Sequence, residues 1–292
     1  MRNKNFAVLI LTHGRPEKQK TLETLKKSGY TGQVYLVIDN ADKTKSDYMK
    51  LYGNQVIVFD KKEIVKSFDI GDNFKDDRAI IYARNAAFEI ANKLGLDYFI
   101  QLDDDYQYFS WRYDDQFQYI DNDLKIKNIE PVFDAMIDFH RASGCLAIAL
   151  SQNGDFIGGR ESAFAQKITL RRKCMNSFIC STARPFKFVG KINEDVNTVT
   201  SLGSIGKLFF TMTQASLKQT VTQKSSGGMT ELYLDSGTYV KSFYSVMYSP
   251  SAVKVKMLGS ANSRLHHEVR WSQATPKIIP EHYKKSKSDT KK

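Results

Sequence analysis

An apolar run that ends in three consecutive aspartates most constrains how this chain can fold. Tyr98 to Leu102 has the length and composition of a buried strand. Asp103, Asp104 and Asp105 follow it directly. Because ligands of open α/β sheets bind outside the carboxyl ends of the strands, this stretch predicts a strand that delivers acids to a site. Two carboxylates on one side, together with phosphate oxygens, are typical ligands of Mg²⁺ or Mn²⁺. A solvated acidic turn is the simpler alternative.

Three further apolar runs of strand length precede this strand. They cover residues 6–11, 34–38 and 55–59 and alternate with short helical segments. Runs that are apolar on both faces are typical of central parallel strands, so the first half predicts a Rossmann-like α/β sheet. A helix is expected from residue 78 to residue 94, with Gly95 ending it. The absence of a GxGxxG motif argues against a dinucleotide site of that type.

The later elements are predicted from shorter signals. Residues 106–130 are aromatic and acidic and indicate an irregular excursion, whose aromatic rings either stack on a base or sugar or roof a small subcore. A helix over 129–141, a strand over 144–150 and a glycine-rich loop over 151–160 follow. Residues 169–182 indicate a strand or hairpin. Beyond the acidic pair at 194–195, which starts a helix, we expect strands at 208–212 and 253–258 and a helix near 236–248.

Charge divides the chain into two unlike halves. The net charge is +11, but residues 1–150 carry 21 Lys and Arg against 23 Asp and Glu, whereas residues 151–292 carry 22 against 9. A basic half indicates a polyanion or an acidic surface as its partner. We expect one domain over residues 1–283, made of two halves (1–150 and 151–283) of unlike charge. A basic disordered tail is expected over 284–292.

Cysteine usage and hydropathy bear on location. The three cysteines, Cys145, Cys174 and Cys180, have no zinc-type spacing, and an odd count favours reduced thiols. No apolar run has the length of a transmembrane helix, and no secretory signal precedes the first strand. We therefore expect a cytoplasmic protein without a membrane partner.

Six pieces of the sequence, taken in order, form a set. They are the first strand with Thr12-His13-Gly14-Arg15-Pro16, the second strand ending in Asp39, the helix with Ala83-Arg84-Asn85, the strand ending in Asp103-Asp104-Asp105, the segment Asn193-Glu194-Asp195, and a late histidine. Together they resemble GT-A-fold glycosyltransferases that use nucleotide sugars, over roughly residues 6–272. The resemblance implies a Rossmann-like, mixed but mainly parallel sheet flanked by helices. It also implies a nucleotide-sugar-binding half over residues 1–150 and a basic acceptor-binding half over residues 151–283.

The resemblance implies roles for these residues. The contacts with the nucleotide sugar would come from Thr12, Arg15, Asp39, Arg84, Asn85, Asp103 and Asp104. A Mn²⁺ or Mg²⁺ ion on the diphosphate would be held by Asp105 and Asp103, with His266 or His267 completing its shell. In inverting members the acid of the Glu-Asp segment is the general base, which here is Asp195 or Glu194. Three consecutive aspartates leave the register of the motif open by one residue.

The overall layout also resembles the TET-associated and phage DNA-base glycosyltransferases, on the loop Gly158-Gly159-Arg160 and the His-His-x-x-x-Trp ending. That family implies a UDP-sugar donor and, as acceptor, DNA with hydroxymethylated pyrimidines such as hydroxymethylcytosine. The target base must then leave the duplex. A phage-encoded enzyme would act in the host cytoplasm. The candidate phosphate contacts are Arg160, Arg171, Arg172, Lys173 and Arg184, and for each the alternative is a solvated basic face.

Two other functions fit the same residues. One is a GT-A glycosyltransferase that acts on a polysaccharide, glycolipid or protein acceptor. The other is a nucleic-acid-binding protein without enzymatic activity on a Rossmann-like scaffold. The second has no need for the acid triplet, the Glu-Asp pair and the histidines to converge at one site.

Overall fold

A computed structural model describes residues 1–72, 79–166, 172–219, 230–258 and 264–275. The strands are β1 (Phe6–Leu11), β2 (Gln33–Asp39), β3 (Val56–Phe59), β4 (Tyr98–Asp103), β5 (Tyr106–Tyr113), β6 (Tyr119–Lys125), β7 (Ala147–Gln152), β8 (Phe178–Ser181), β9 (Phe209–Gln219), β10 (Val253–Leu258) and β11 (Arg264–Val269). The helices are α1 (Lys20–Lys27), α2 (Lys45–Tyr52), α3 (Lys61–Ile64), α4 (Ile81–Lys93), α5 (Glu130–Ser143), α6 (Ala163–Gln166), α7 (Glu194–Ser204), α8 (Thr230–Tyr248) and α9 (Trp271–Ala274).

Nine of the described strands form one mixed sheet in the order β3-β2-β1-β4-β8-β7-β9-β5-β6. The first four strands of that order pair in parallel, as do β7 and β9. Strand β8 is antiparallel to both neighbours, and β5 is antiparallel to β9 and β6. Among the described strands of the sheet, β5 and β8 therefore run against the other seven. The expected mixed, mainly parallel sheet is confirmed.

Strand β1 shows why the sheet is covered on both faces. Its six residues are all buried, and alternate side chains enter two different clusters. One cluster includes residues of α1 and α5, and the other includes residues of α4 and α7. A strand sandwiched in this way has no polar face, which is why its sequence is continuously apolar.

The region of residues 106–130 differs from the irregular excursion that the sequence predicts. It forms the antiparallel hairpin β5–β6, and β5 pairs with residues 215–219 of β9. Pairing over this sequence distance leaves no local signal, because the partner strand lies about a hundred residues away. Tyr119 packs with Phe156 and Phe164 in a small cluster, as expected if the aromatic rings of this region cover a small subcore.

Beyond the main sheet, β10 and β11 form an antiparallel pair on which α8 packs. Within the described residues, no helix is long and apolar enough to cross a membrane. The expected tail at 284–292 and the candidate contact Arg171 lie outside the described residues, as does part of the predicted hairpin at 169–182.

Candidate active site

The acid triplet lies at the carboxyl end of β4, between the loop after β1 and helix α4. Asp104 turns toward the β1 loop, where it accepts hydrogen bonds from Thr12 Oγ1 (2.7 Å) and Arg15 Nη1 (3.2 Å). Asp103 turns toward α4, and Asp105 is hydrogen-bonded by the side chain of Gln219. The three carboxylates therefore have three different sets of partners.

Burial and mutual repulsion disfavour the charged forms of the triplet. Burial raises the pKa of Asp103 to about 7, with further contributions from Asp105 and Glu194, while Arg84 acts in the opposite direction. Burial and the neighbouring Asp104 raise the pKa of Asp105 to about 6. The protein's own cations do not fully compensate these two carboxylates, so an added cation would be favourable beside them.

Arg84 on α4 connects the acid triplet with the start of α7. Its Nε donates to Glu194 Oε1 at 2.9 Å, and its Nη2 donates to Asp103 Oδ1 at 3.2 Å. The side chain is 1% exposed, and its guanidinium lies over the rings of Phe178 and Phe188 at 4.9 and 5.8 Å from their centroids. Arg84, which the resemblance implies as a contact of the nucleotide sugar, is a buried cation paired with two acids.

Helix α7 begins with the acidic pair and points Asp195 at a lysine. Asp195 Oδ2 accepts a hydrogen bond from Lys173 Nζ at 3.0 Å, and Oδ1 accepts one from the backbone N–H of Val196. Burial disfavours the charged form of Asp195, but Lys173, the Val196 N–H and Arg84 together outweigh burial and hold its pKa below the usual range. The pKa of Glu194 is raised by burial. At neutral pH, Asp195 is thus an ionised carboxylate able to accept a proton.

Asn193 fixes the entry into α7. Its backbone adopts a left-handed conformation (φ 54°), and its Nδ2 donates to the carbonyl oxygen of Lys241 (2.8 Å) and to Ser245 Oγ (3.1 Å) on α8. An asparagine tolerates this conformation better than most residues do. His267 Nδ1 lies 3.5 Å from the same Nδ2.

The adjacent histidines lie on β11 beside α7. Burial and the nearby Lys173 lower the pKa of His267 to about 4, so its ring is neutral at pH 7. The Nδ1 of His266 lies 2.6 Å from the carbonyl oxygen of His267. One of the two was expected to complete a metal shell with Asp105 and Asp103. His267 lies close enough to Lys173 and Asp195 for their charges to act on its pKa.

A metal ion fits the acid triplet through its carboxylates rather than through a closed cage. Within the described ranges, no group of three or more His, Cys, Asp or Glu side chains is arranged to hold a metal ion. Mg²⁺-type ions are commonly held by one or two carboxylates plus substrate phosphates, and the raised pKa values of Asp103 and Asp105 match that arrangement.

The loop after β1 and the end of β2 form a second cluster. His13 Nδ1 lies 2.8 Å from Asp39 Oδ2, and Thr12 Oγ1 lies 2.8 Å from the Tyr48 hydroxyl. Thr12 and Asp39 are 8% and 7% exposed. Both were expected to contact the nucleotide, and both have polar partners inside the protein. Arg15, whose side chain is 28% exposed, remains open to a ligand.

Asn85, which was expected to contact the nucleotide sugar, is bonded to the protein backbone through both ends of its side-chain amide. Its Oδ1 accepts from the backbone N–H of Phe188 (2.8 Å), and its Nδ2 donates to the Phe188 carbonyl oxygen (3.0 Å). The side chain is fully buried, so its amide fastens α4 to the segment before α7. These two hydrogen bonds satisfy a buried backbone N–H and a buried C=O, which would cost free energy if left unpaired.

Most of the expected phosphate contacts are engaged within the protein. Arg172 pairs with the buried Asp155, and Lys173 pairs with Asp195. Arg184 donates to the carbonyl oxygens of His140 (2.9 Å) and Cys145 (3.2 Å). Arg160 is exposed and donates to the carbonyl oxygen of Tyr119 at 3.4 Å. Of the four candidates that the structure describes, Arg160 is the exposed one.

The site thus contains a cluster of carboxylates joined by one buried arginine. A model of a protein family described as TET-Associated Glycosyltransferase matches residues 6–228, which is more than half of the sequence. The chain belongs to this family. The alternative of a nucleic-acid-binding protein without enzymatic activity is therefore wrong, and the chain is a glycosyltransferase.

Solved structures similar to this glycosyltransferase include glucosyl-3-phosphoglycerate synthase from Mycobacterium tuberculosis. Its complex with Mn²⁺, UDP and phosphoglyceric acid has 11% identity and a TM-score of 0.42, covering 92% of this chain and 88% of that chain. Its complex with Mn²⁺ and UDP-glucose has 8% identity, the same coverage and a TM-score of 0.44. A search of curated proteins found no match.

Several residues of the glycosyltransferase's site were not singled out from the sequence. They are His13 beside Asp39, Tyr48 beside Thr12, Asn193 before α7, and Gln219 beside Asp105. His13 and Asn193 stand inside the quoted motifs, so their neighbours in sequence could have drawn attention to them. Tyr48 and Gln219 carry no such signal, because they reach the site only through the fold.

Proposed function

We propose that this glycosyltransferase moves a sugar from a UDP-sugar to the hydroxyl of a hydroxymethylated pyrimidine in DNA, with inversion at the sugar and with a divalent metal. The observation that carries the proposal is the Arg84 bridge, which joins Asp103 at the end of β4 to Glu194 at the start of α7. The bridge thereby connects a donor-side acid with Glu194, the residue that directly precedes the candidate base Asp195.

On the donor side, Asp103 and Asp105 are the residues that would hold Mn²⁺ or Mg²⁺. Such an ion supplies Lewis-acid stabilisation of the diphosphate leaving group. Arg15, tied to Asp104 and partly exposed, is positioned to contact the nucleotide. Thr12 and Asp104 act by orienting Arg15 and the loop rather than by touching the donor.

On the acceptor side, Asp195 is the proposed general base. The acceptor oxygen attacks the anomeric carbon as the bond to the diphosphate breaks, and the acceptor proton passes to Asp195. The negative charge leaves with the diphosphate. A carboxylate held ionised by Lys173 is ready to take this proton, and general-base assistance contributes roughly 10²–10⁴-fold in rate.

Two observations support DNA as the acceptor. The matching family is described as TET-associated, and the C-terminal half carries most of the excess positive charge. Within the described residues, Arg160 and Arg270 are exposed, and Lys254 and Lys256 are about half exposed. Lys and Arg contacts to phosphates supply most of the sequence-independent affinity for DNA.

Donor turnover tests the proposal. The protein is incubated with Mn²⁺ and a panel of UDP-sugars, with and without DNA that contains hydroxymethylcytosine, and free UDP is measured. The proposal predicts UDP release that requires the modified DNA and that is lost in Asp105→Asn. Release with a glycan acceptor but not with DNA would reassign the acceptor. No release with any donor would overturn the proposal.

A further inference from the structure

We propose that His13, and not Asp39, presents the hydrogen-bonding group that reads the pyrimidine of the donor nucleotide, and that Asp39 positions the imidazole. The inference rests on the proposed function, because it takes a UDP-sugar as the donor. It makes His13 the residue that separates uracil from cytosine.

The carboxylate of Asp39 is already committed within the protein. Its Oδ2 lies 2.8 Å from His13 Nδ1, and its Oδ1 accepts the backbone N–H of Ala41 at 2.9 Å. The residue is 7% exposed. Each carboxylate oxygen can accept a second hydrogen bond, but Asp39 is almost fully buried whereas the His13 side chain bonded to it is 52% exposed, so the imidazole is the more accessible group.

The second carboxylate beside His13 is committed as well. Asp42 Oδ2 lies 3.6 Å from His13 Nδ1 and accepts the backbone N–H of Gly14 at 2.9 Å. Its Oδ1 accepts from the backbone N–H and the hydroxyl of Thr44. Asp39 and Asp42 therefore both lie on the Nδ1 side of the imidazole.

The rest of the His13 ring faces away from these two acids. Its side chain is 52% exposed, and within the described part of the chain its ring makes no other hydrogen bond than the one to Asp39. The residue stands directly after β1, between the carboxyl end of β2 and the loop of Arg15. In open α/β sheets this crevice is where ligands bind. The Nε2 edge is thus presented to a ligand.

The chemistry of the two ring nitrogens supplies the discrimination. When the neutral ring donates Nδ1–H to Asp39, Nε2 carries a lone pair and accepts a hydrogen bond. Uracil has an N3–H that Nε2 can accept, whereas the N3 of cytosine has no hydrogen. In the protonated ring Nε2 becomes a donor, which matches cytosine N3 and opposes uracil N3–H.

The charges around His13 raise the pH at which this change occurs. The hydrogen bond to Asp39 favours the protonated form of the ring, and burial opposes it. The charges of Asp39 and Asp42 also favour the protonated form. Lys61 on α3 acts in the opposite direction. The net result is a pKa of His13 above its usual 6.5. Lowering the pH through that range should reduce the preference for uracil.

Nucleotide binding measured by calorimetry tests the inference. The dissociation constants of UDP and CDP are determined from about pH 6 to about pH 8.5 with Mn²⁺ present. We expect UDP to bind roughly tenfold more tightly than CDP at the upper end, and this ratio to approach one at the lower end. Titration of the diphosphate affects both ligands alike and cancels in the ratio.

Variants identify the responsible residue. In His13→Ala the ratio of the two dissociation constants should be close to one and independent of pH. In the matched control His140→Gln, at a buried histidine of α5, the ratio and its pH dependence should be those of the wild type. A pH-dependent preference for UDP that survives in His13→Ala would overturn the inference and return the base contact to Asp39. Wild-type protein that binds neither nucleotide would instead contradict the proposed function.

Discussion

At the scale of single residues, Lys173 decides the charge of the proposed base. Its ammonium lies 3.0 Å from Asp195 Oδ2 and lowers the pKa of that carboxyl. In Lys173→Met the pKa of Asp195 should rise, because the group that favours its charged form is gone. The acidic limb of the pH profile of transfer should then move to higher pH.

The control for this experiment is Lys187→Met. Lys187 is exposed and donates to Ser67 Oγ at 3.0 Å, away from Asp195. Its removal should leave the pH profile in place. If Lys173→Met also leaves the acidic limb where it is, Asp195 is not the group that titrates in catalysis.

Gly190 shows how tightly the segment before α7 is packed. Its φ is +78°, and a Cβ there would lie 2.5 Å from Asn197 Nδ2 and 2.7 Å from a ring carbon of Tyr248. We expect Gly190→Ala to lower the free energy of unfolding by roughly 2–4 kcal/mol, from backbone strain and overpacking together. Denaturant titration measures the change.

Gly95 is a control position at which an added Cβ would cause backbone strain without close contacts. Its φ is +69°, but a Cβ there meets nothing within 4 Å. Gly95→Ala should therefore cost only about 1 kcal/mol. Equal losses in the two variants would show that the close contacts around Gly190 are not what constrains it.

At the scale of elements, Arg84 joins α4, β4 and α7. Removing the arginine leaves the carboxylates of Asp103 and Glu194 without their shared cation. We expect Arg84→Met to lower the free energy of unfolding by about 3–5 kcal/mol, as is typical when one partner of a buried ion pair is removed. The double variant Arg84→Met/Glu194→Gln should recover part of that loss, because one uncompensated charge is also removed. A single-variant cost under about 1 kcal/mol would show that the bridge does not hold these elements together.

Helix α5 makes stability depend on pH through His140. The ring is fully buried, and its Nδ1 lies 2.6 Å from Arg184 Nη2. Burial lowers the pKa of His140 to about 4, against about 6.5 in the unfolded chain. The unfolded state thus binds the proton first, and stability is lost as the pH falls from 6.5 toward 4.

The contribution of His140 can be isolated as a difference between two proteins. It amounts to about 2 kcal/mol between pH 7 and pH 5. The loss of unfolding free energy over that interval should be smaller by about this amount in His140→Gln than in the wild type. Comparing the two proteins cancels the effects of acids such as Asp103, which change stability with pH in the opposite direction. An identical pH dependence in both proteins would mean that His140 is not held neutral.

The elements that the sequence predicts well are those whose signal is local. Strands β1 to β4 are apolar runs because each is covered on both faces, and α5 was expected from its own periodicity. The hairpin β5–β6 was not predicted, since its stability depends on pairing with β9. Local composition could not distinguish such strands from an irregular aromatic segment.

At the scale of the whole molecule, the site forms where distant parts of the chain meet. The acid triplet and the Glu-Asp pair were predicted as pieces of one site from the resemblance to GT-A glycosyltransferases. The bridge by Arg84, the pairing of Lys173 with Asp195 and the engagement of Asn85 could not be predicted. They depend on side-chain directions that only the folded sheet sets.

The uneven charge also belongs to the whole molecule. Several basic residues of the C-terminal half, such as Arg172 and Arg184, stabilise the fold through internal partners. The excess that remains on the surface is what could attract DNA from a distance, and that attraction should weaken steeply with salt.

The mass of the acceptor DNA after reaction shows whether this protein transfers a sugar to a hydroxymethylated base. An oligonucleotide with one hydroxymethylcytosine is incubated with the protein, Mn²⁺ and a UDP-sugar, and its intact mass is measured over time. We predict a gain of one sugar residue with the wild type, and a rate lower by roughly 10²–10⁴-fold in Asp195→Asn with UDP binding retained. A DNA mass that stays unchanged with every UDP-sugar, or equal rates in the two proteins, would contradict the account.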